Sequence, residues 1–185
     1  MIQKEKIILG IDPGTTIMGY GLIRVMQKEP SMIALGIIDL KKISDPYLKL
    51  KTIFERVVSL IDQYHPDELA VEAPFYGKNV QSMLKLGRAQ GVAIAAALSR
   101  SVPIFEYAPR KIKMSITGRG NASKEQVALL LQKLLKIKEL PPELDATDGL
   151  AAALCHFYQA NTIISPKNYN SWKDFIHKNP GRVKK

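Results

Sequence analysis

Four carboxylates carry the chemistry that this 185-residue sequence offers. Asp12 ends an apolar run, Lys6-Ile7-Ile8-Leu9-Gly10-Ile11, and is followed at once by the turn signal Pro13-Gly14. Glu72 ends a second, shorter run, Glu68-Leu69-Ala70-Val71. Asp145 and Asp148 open a helical pattern and, three residues apart, share one face of it. If the strands ending at Asp12 and Glu72 are parallel neighbours, both acids reach one sheet edge, where α/β folds place their sites. With the Asp145 helix packed beside the first strand, all four converge. Close carboxylates repel one another and raise each other's pKa until cations are supplied. Mg²⁺ suits oxygen-only ligands, with Mn²⁺ as its substitute. Two such ions about 4 Å apart activate a water and stabilise a leaving oxygen in phosphodiester cleavage. The bland alternative is local: Asp12 starts a turn, and Asp145 and Asp148 cap a helix and answer its dipole. His65, His156 and His177 are scattered, and the single Cys155 rules out a disulfide framework or a cysteine zinc cluster.

The elements that must position these acids follow from periodicity. Lys6–Asp12, Gly19–Val25 and Ser31–Leu40 read as three strands in an antiparallel meander. Gln27-Lys28-Glu29-Pro30 lies between the second and third. Asp45-Pro46 starts a helix whose apolar face is Leu50, Ile53, Phe54, Val57 and Ile61. A fourth strand runs Glu68–Glu72, a loop covers Ala73–Asn79, and a second helix runs from Val80 to about Ser99. Gly87 and Gly91 sit one turn apart on that helix, a costly choice that suits either close packing on the sheet or a subunit interface. Pro103–Tyr107 reads as a fifth strand, followed by a basic stretch, Ala108–Met114, and a loop at Gly118–Asn121. Ser123-Lys124-Glu125-Gln126 has the form of a capping box for a third helix, and Asp145 opens a fourth that runs to about Ala160. The alternation of strands and helices predicts an α/β fold with a mixed five-stranded sheet.

Composition bounds the rest. A hydrophobic content of 46% supports a real core, and 27 Lys+Arg against 17 Asp+Glu, net +10, suits a polyanionic partner. The N-terminus lacks the apolar segment of a signal peptide, no apolar run approaches bilayer length, and a cytosolic protein is the expectation. The boundary falls at 1–161 for a single domain and 162–185 for a basic tail. That tail carries Lys167, Lys173, Lys178, Arg182, Lys184 and Lys185 against Asp174 alone, and reads as a solvated arm.

Four motifs in unbroken order resemble the RuvC family of bacterial Holliday junction resolvases: Gly10-Ile11-Asp12-Pro13-Gly14, Val71–Asn79, Leu84–Val92 and Asp145–Ala151. The resemblance implies an RNase H-like (retroviral integrase-type) fold. It implies a homodimer that nicks two opposed strands of four-way junction DNA with Mg²⁺, prefers short T-rich sites and works with the RuvA–RuvB branch-migration complex. By motif position Asp12, Glu72, Asp145 and Asp148 become the catalytic, metal-binding acids. Phe75, just after a catalytic acid, matches an aromatic that stacks on a base or wedges the junction, and Tyr76 is its neighbour. Lys113 and Lys124 match positions that contact DNA near the scissile phosphate, and Arg88, Arg110 and Lys111 are further phosphate-contact candidates. Two features depart from the pattern. Ala73-Pro74 stands where Gln-Val is common, and the tail past Thr162 diverges.

Three other functions share features with this one. Actin-like ATPases and kinases also carry an Asp-x-Gly-Thr turn, but this chain is short for two such lobes and has no second Gly-rich phosphate turn. A non-catalytic junction-binding protein would not need all four acids. An RNA–DNA hybrid nuclease of the same fold would be told apart by its preferred substrate.

Overall fold

The computed structural model describes residues 5–74 and 79–162. The strands are β1 (Lys6–Asp12), β2 (Ile17–Met26), β3 (Glu29–Asp39), β4 (Glu68–Glu72) and β5 (Ile104–Tyr107). They form one mixed sheet in the order β3-β2-β1-β4-β5. β1–β2 and β2–β3 pair antiparallel, while β1–β4 and β4–β5 pair parallel. The helices are α1 (Pro46–Tyr64), α2 (Val80–Leu98), α3 (Pro109–Thr117), α4 (Lys124–Leu134) and α5 (Asp145–Thr162). This is the RNase H-like arrangement that the motifs imply.

Strand alternation divides the core into two layers. Leu9, Ile11, Leu22, Leu69 and Val71 pack against Ile53, Val57 and Ile61 of α1 and Ala89, Ala93 and Ala96 of α2. Ile8, Ile23 and Ala70 face the other way, onto Ile112 of α3, Leu131 of α4 and Leu150 and Leu154 of α5. The sheet is therefore covered on both faces, as parallel β pairs require.

The meander is longer than its sequence suggests. Its turn is only two residues, Gln27 and Lys28, both at positive φ (53° and 66°). That is the hairpin geometry whose twist matches the flanking strands. Pro30 therefore lies inside β3, paired with Val25, and is tolerated because β3 is an outer strand. The basic stretch after β5 is a helix of its own, with Pro109 in its first turn and Gly118 ending it at φ 73°. The capping box at Ser123 forms: Ser123 Oγ accepts from the Gln126 N–H and Gln126 Oε1 accepts from the Ser123 N–H.

A polar chain on the α5 side of the sheet runs from Tyr107, the neighbour of Glu72 on β5, to Glu68 at the other end of β4. Buried His156 meets the Tyr107 hydroxyl at 2.6 Å through Nδ1 and Glu68 Oε2 at 2.5 Å through Nε2. Glu68 also pairs with Lys6 at 2.6 Å, and Phe105 stacks on the imidazole with ring centroids 4.3 Å apart. Burial pulls the His156 pKa below its ordinary value, so the ring stays neutral and the chain is a structural brace. Among the described residues no helix is long and apolar enough to cross a membrane.

Candidate active site

Asp12 and Glu72 reach one edge because β1 and β4 run parallel in register, Ile11 beside Val71. Both acids share the parity of Ile8, Gly10 and Ala70, so their side chains point to the face that α5 covers. Two acids on adjacent strand ends, on one face, are the first half of the site.

The second half arrives on α5, which lies directly on the backbones of β1 and β2. A Cβ on Gly10 would fall 2.0 Å from the Gly149 carbonyl oxygen and 2.5 Å from the Ala153 nitrogen. A Cβ on Gly149 would fall 2.5 Å from Tyr20 Cα. Glycine at these two positions lets helix and strands touch without intervening side chains. The first turn of α5, with Asp145 and Asp148, is thereby set over the end of β1.

Lys124, at the start of α4, enters the cluster from the side. Its ammonium donates to Asp145 Oδ1 at 2.8 Å. It also lies 2.6 Å from Asp148 Oδ2, an ion pair off the hydrogen-bonding angle. Asp148 Oδ2 is itself buried, with no hydrogen-bond partner among the described residues. The Asp145 carboxylate is thus committed to Lys124, and helix capping does not account for it.

The electrostatics are those of crowded acids. Burial, then the negative charges of Glu72 and Asp148, push the Asp12 carboxyl up to about 8 against an ordinary 3.8. Burial and Asp148 push Glu72 up to about 7, with Lys124 and Lys113 opposing. Asp148 is also raised, chiefly by burial. Burial alone would lower the Lys124 pKa, but its hydrogen bond to Asp145 and its ion pair with Asp148 outweigh that and hold it charged.

An all-oxygen donor set with surplus negative charge fits a hard divalent cation. Among the described residues no three such groups already close around a common point. The Lys124 ammonium stands between Asp145 and Asp148 and supplies positive charge there.

The other candidates divide. Lys113 on α3 is close enough to act on Glu72 and Asp148. Arg110 and Lys111 are exposed on the same helix, with Lys111 Nζ 5.3 Å from the Tyr107 ring centre. Arg88 lies on α2, across the sheet edge from the acids. Phe75, Tyr76 and the tail after Thr162 lie outside the described residues.

Two positioning residues were not singled out from sequence. Gln90, buried in α2, donates through Nε2 to the Glu72 carbonyl at 3.3 Å and to Glu106 Oε2 at 2.9 Å, which ties the end of β4 to that helix. Lys49 of α1 donates to the Thr15 carbonyl at 2.9 Å and pins the turn after Asp12. An amide beside the small apolar residues of the second half of α2 is a cue for the first; nothing in the sequence marks the second.

Comparison with known proteins fits this geometry. The family model described as crossover junction endodeoxyribonuclease RuvC matches residues 8–156. A crossover junction endodeoxyribonuclease RuvC of Bacteroides fragilis is 68% identical over 188 residues, covering all of both chains. The Thermus thermophilus RuvC structure superposes with a TM-score of 0.75 at 31% identity, covering 84% of this chain and 96% of that one. Thermus thermophilus RuvC in complex with Holliday junction substrate gives 0.78 at 29% identity, covering 85% and 96%. The chain belongs to the RuvC family of crossover junction endodeoxyribonucleases.

Proposed function

We propose that this chain resolves four-way DNA junctions as a homodimer by paired, symmetric phosphodiester hydrolysis, with Asp12, Glu72, Asp145 and Asp148 holding Mg²⁺. The observation that carries the reading is the convergence of four acids, two of them pushed up to about 8 and 7. Such a cluster is adverse until a cation neutralises it. The bound metal supplies an activated water and charge relief for the leaving oxygen. The chain's own part is positional. β1 and β4 fix two acids and α5 fixes the other two. Lys124 and Lys113 supply positive charge beside the reacting phosphate, where negative charge grows as the bond breaks. Asp145 and Asp148 would hold the cation in place of their present pairing with Lys124, whose ammonium would then be free for the substrate phosphate.

The dimer reading rests on α2. Val80, Leu84, Gly87, Gly91 and Leu98 recur at spacings of four, three, four and seven, a helical seam. Val80, Leu84 and Leu98 are 65%, 53% and 61% exposed. A Cβ on Gly87 or Gly91 would meet nothing within 4 Å, so packing on the sheet is not why they are glycine. An open apolar seam with two small residues suits a second copy of the same helix. Phe75 and Tyr76 follow Glu72 by three and four residues, and we assign them to the branch-point bases. The RuvA–RuvB complex and the bacterial cytoplasm complete the proposal.

The test is a nicking assay on a mobile four-way junction, with linear duplex and RNA–DNA hybrid as controls, with and without Mg²⁺. Paired nicks on the junction alone, requiring Mg²⁺, are expected. Preferred cutting of hybrid would move the chain's activity to RNA–DNA duplex, and cutting without divalent metal would remove the role given to the four acids.

A further inference from the structure

We infer a second phosphate-binding site, in a cleft of about 300 Å³ on the opposite side of the sheet edge from the acids. It lies between the turn that follows Asp12 and the facing ends of α1 and α2. Thr15, Thr16, Tyr47, Lys49, Lys85 and Arg88 line it. This assignment rests on the junction-nuclease reading and extends it.

The chemistry of the lining is one-sided. Among the described residues three cations line the cleft and no carboxylate does. Among the described residues Lys85 and Arg88 form no ion pair. Lys85 and Arg88 are one turn apart on α2 and lean to the same side. Thr15 and Thr16 add hydroxyls, and Tyr47, 74% exposed, puts an aromatic face at the first turn of α1. Uncompensated cations, hydroxyls and an exposed ring together describe a site for a phosphodiester with its sugar and base, rather than for a bare ion.

Its position says which phosphodiester. The cleft is separated from the acids only by the Pro13–Thr16 turn, and it flanks the α2 seam. In a two-fold dimer built on that seam, each cleft would lie beside the symmetry axis, because Lys85 and Arg88 directly follow the seam residues Leu84 and Gly87 on α2. A junction places its exchanging strands on that axis, and a linear duplex has none there. The cleft thus takes a backbone phosphate close to the branch point and contributes to the preference for junction over duplex.

The experiment uses the full chain with Asp12→Asn to prevent cutting. Junction and linear-duplex affinities are measured for that protein and for its Lys85→Ala and Lys85→Ala/Arg88→Ala derivatives over a range of salt. The double derivative is expected to lose about tenfold on junctions, to lose less on duplex, and to reduce the salt slope by about one to two. Neutral methylphosphonates are then placed singly along the exchanging strands. One or two positions near the branch point should weaken binding by the parent and leave the double derivative indifferent. Lys85→Arg/Arg88→Lys should retain the preference. Because Arg88 borders the seam, the mass of each derivative in solution is measured alongside. A derivative that turns monomeric gives way to Lys85→Ala alone, which lies off the seam. Unchanged junction affinity, or the same methylphosphonate profile in parent and derivative, overturns the cleft. A parent that binds junction no better than duplex overturns the junction reading instead.

Discussion

Asp12→Asn should make the metal-free protein more stable, although it should also abolish catalysis. In the unfolded chain the Asp12 carboxyl titrates near 3.8, and in the folded chain it titrates near 8. At pH 7 the folded protein must therefore hold it protonated, about three units above its unfolded pKa. At about 1.4 kcal/mol per unit this costs about 4 kcal/mol. That figure is an upper bound, because Asp12 keeps some exposure and shares its environment with Glu72. Asparagine has the same shape and no charge to suppress, so a gain of about 2–4 kcal/mol is expected at pH 7. The sign follows from the raised pKa. The carboxyl's contribution is intact below about pH 4 and is lost as pH rises through 8. The gap between variant and parent should therefore vanish near pH 3.5 and be widest near pH 9. Urea unfolding in EDTA at several pH values measures it directly. Excess Mg²⁺ at 100 times its dissociation constant should then stabilise the parent by about 2.7 kcal/mol and the variant much less. A variant that is less stable than the parent at pH 8 without metal, or a gap that does not close on acidification, would refute the electrostatic account of the site.

Three further outcomes follow from the same geometry. Lys124→Met removes the ammonium that stands between Asp145 and Asp148. Mn²⁺ binding without DNA, followed by electron paramagnetic resonance, should tighten by about threefold to tenfold, given the modest worth of partly exposed ion pairs, while cleavage slows. Gly149→Ala drives a methyl group into the Tyr20 backbone. Unfolding should show a loss of about 1–3 kcal/mol, and Mg²⁺ affinity should fall with it because α5 can no longer sit on β1. Leu84→Glu places a charge on the α2 seam. Sedimentation should report a monomer with an unaltered fold, and nicks on the two opposed strands should become uncoupled.

The acids were legible because they interrupt strong patterns: an apolar run that stops on Asp12 before Pro-Gly, and a second that stops on Glu72. The parallel β1–β4 pairing needed only those two ends and the helix between them. The limits of the strands were less legible. Pro30 reads as a break, and only its place on an outer strand makes it acceptable. α3 has nine residues and no side-chain cap, since Ala108 precedes it, and so its charge was visible while its helicity was not. The glycines that seat the site were not the conspicuous ones. Gly87 and Gly91 drew notice inside a helix, whereas Gly10 and Gly149 carry the contact between β1 and α5. A glycine within an apolar strand is a cue for close backbone approach. The His156 chain had no cue, because Glu68 is 88 positions away and the histidine sits in an apolar helix.

The contact between α5 and β1 also bears on how the enzyme comes into being. Asp12 and Asp145 are separated by most of the chain, and nothing local holds them together. Loop closure over that distance is among the slower steps available to a domain of this size. A nascent chain that has not yet released α5 carries two of the four acids, lacks the helix that covers them, and has an exposed glycine track in place of a nuclease. The four-acid cluster therefore exists only once α5 is seated on β1, and a copy without α5 holds Asp12 and Glu72 alone.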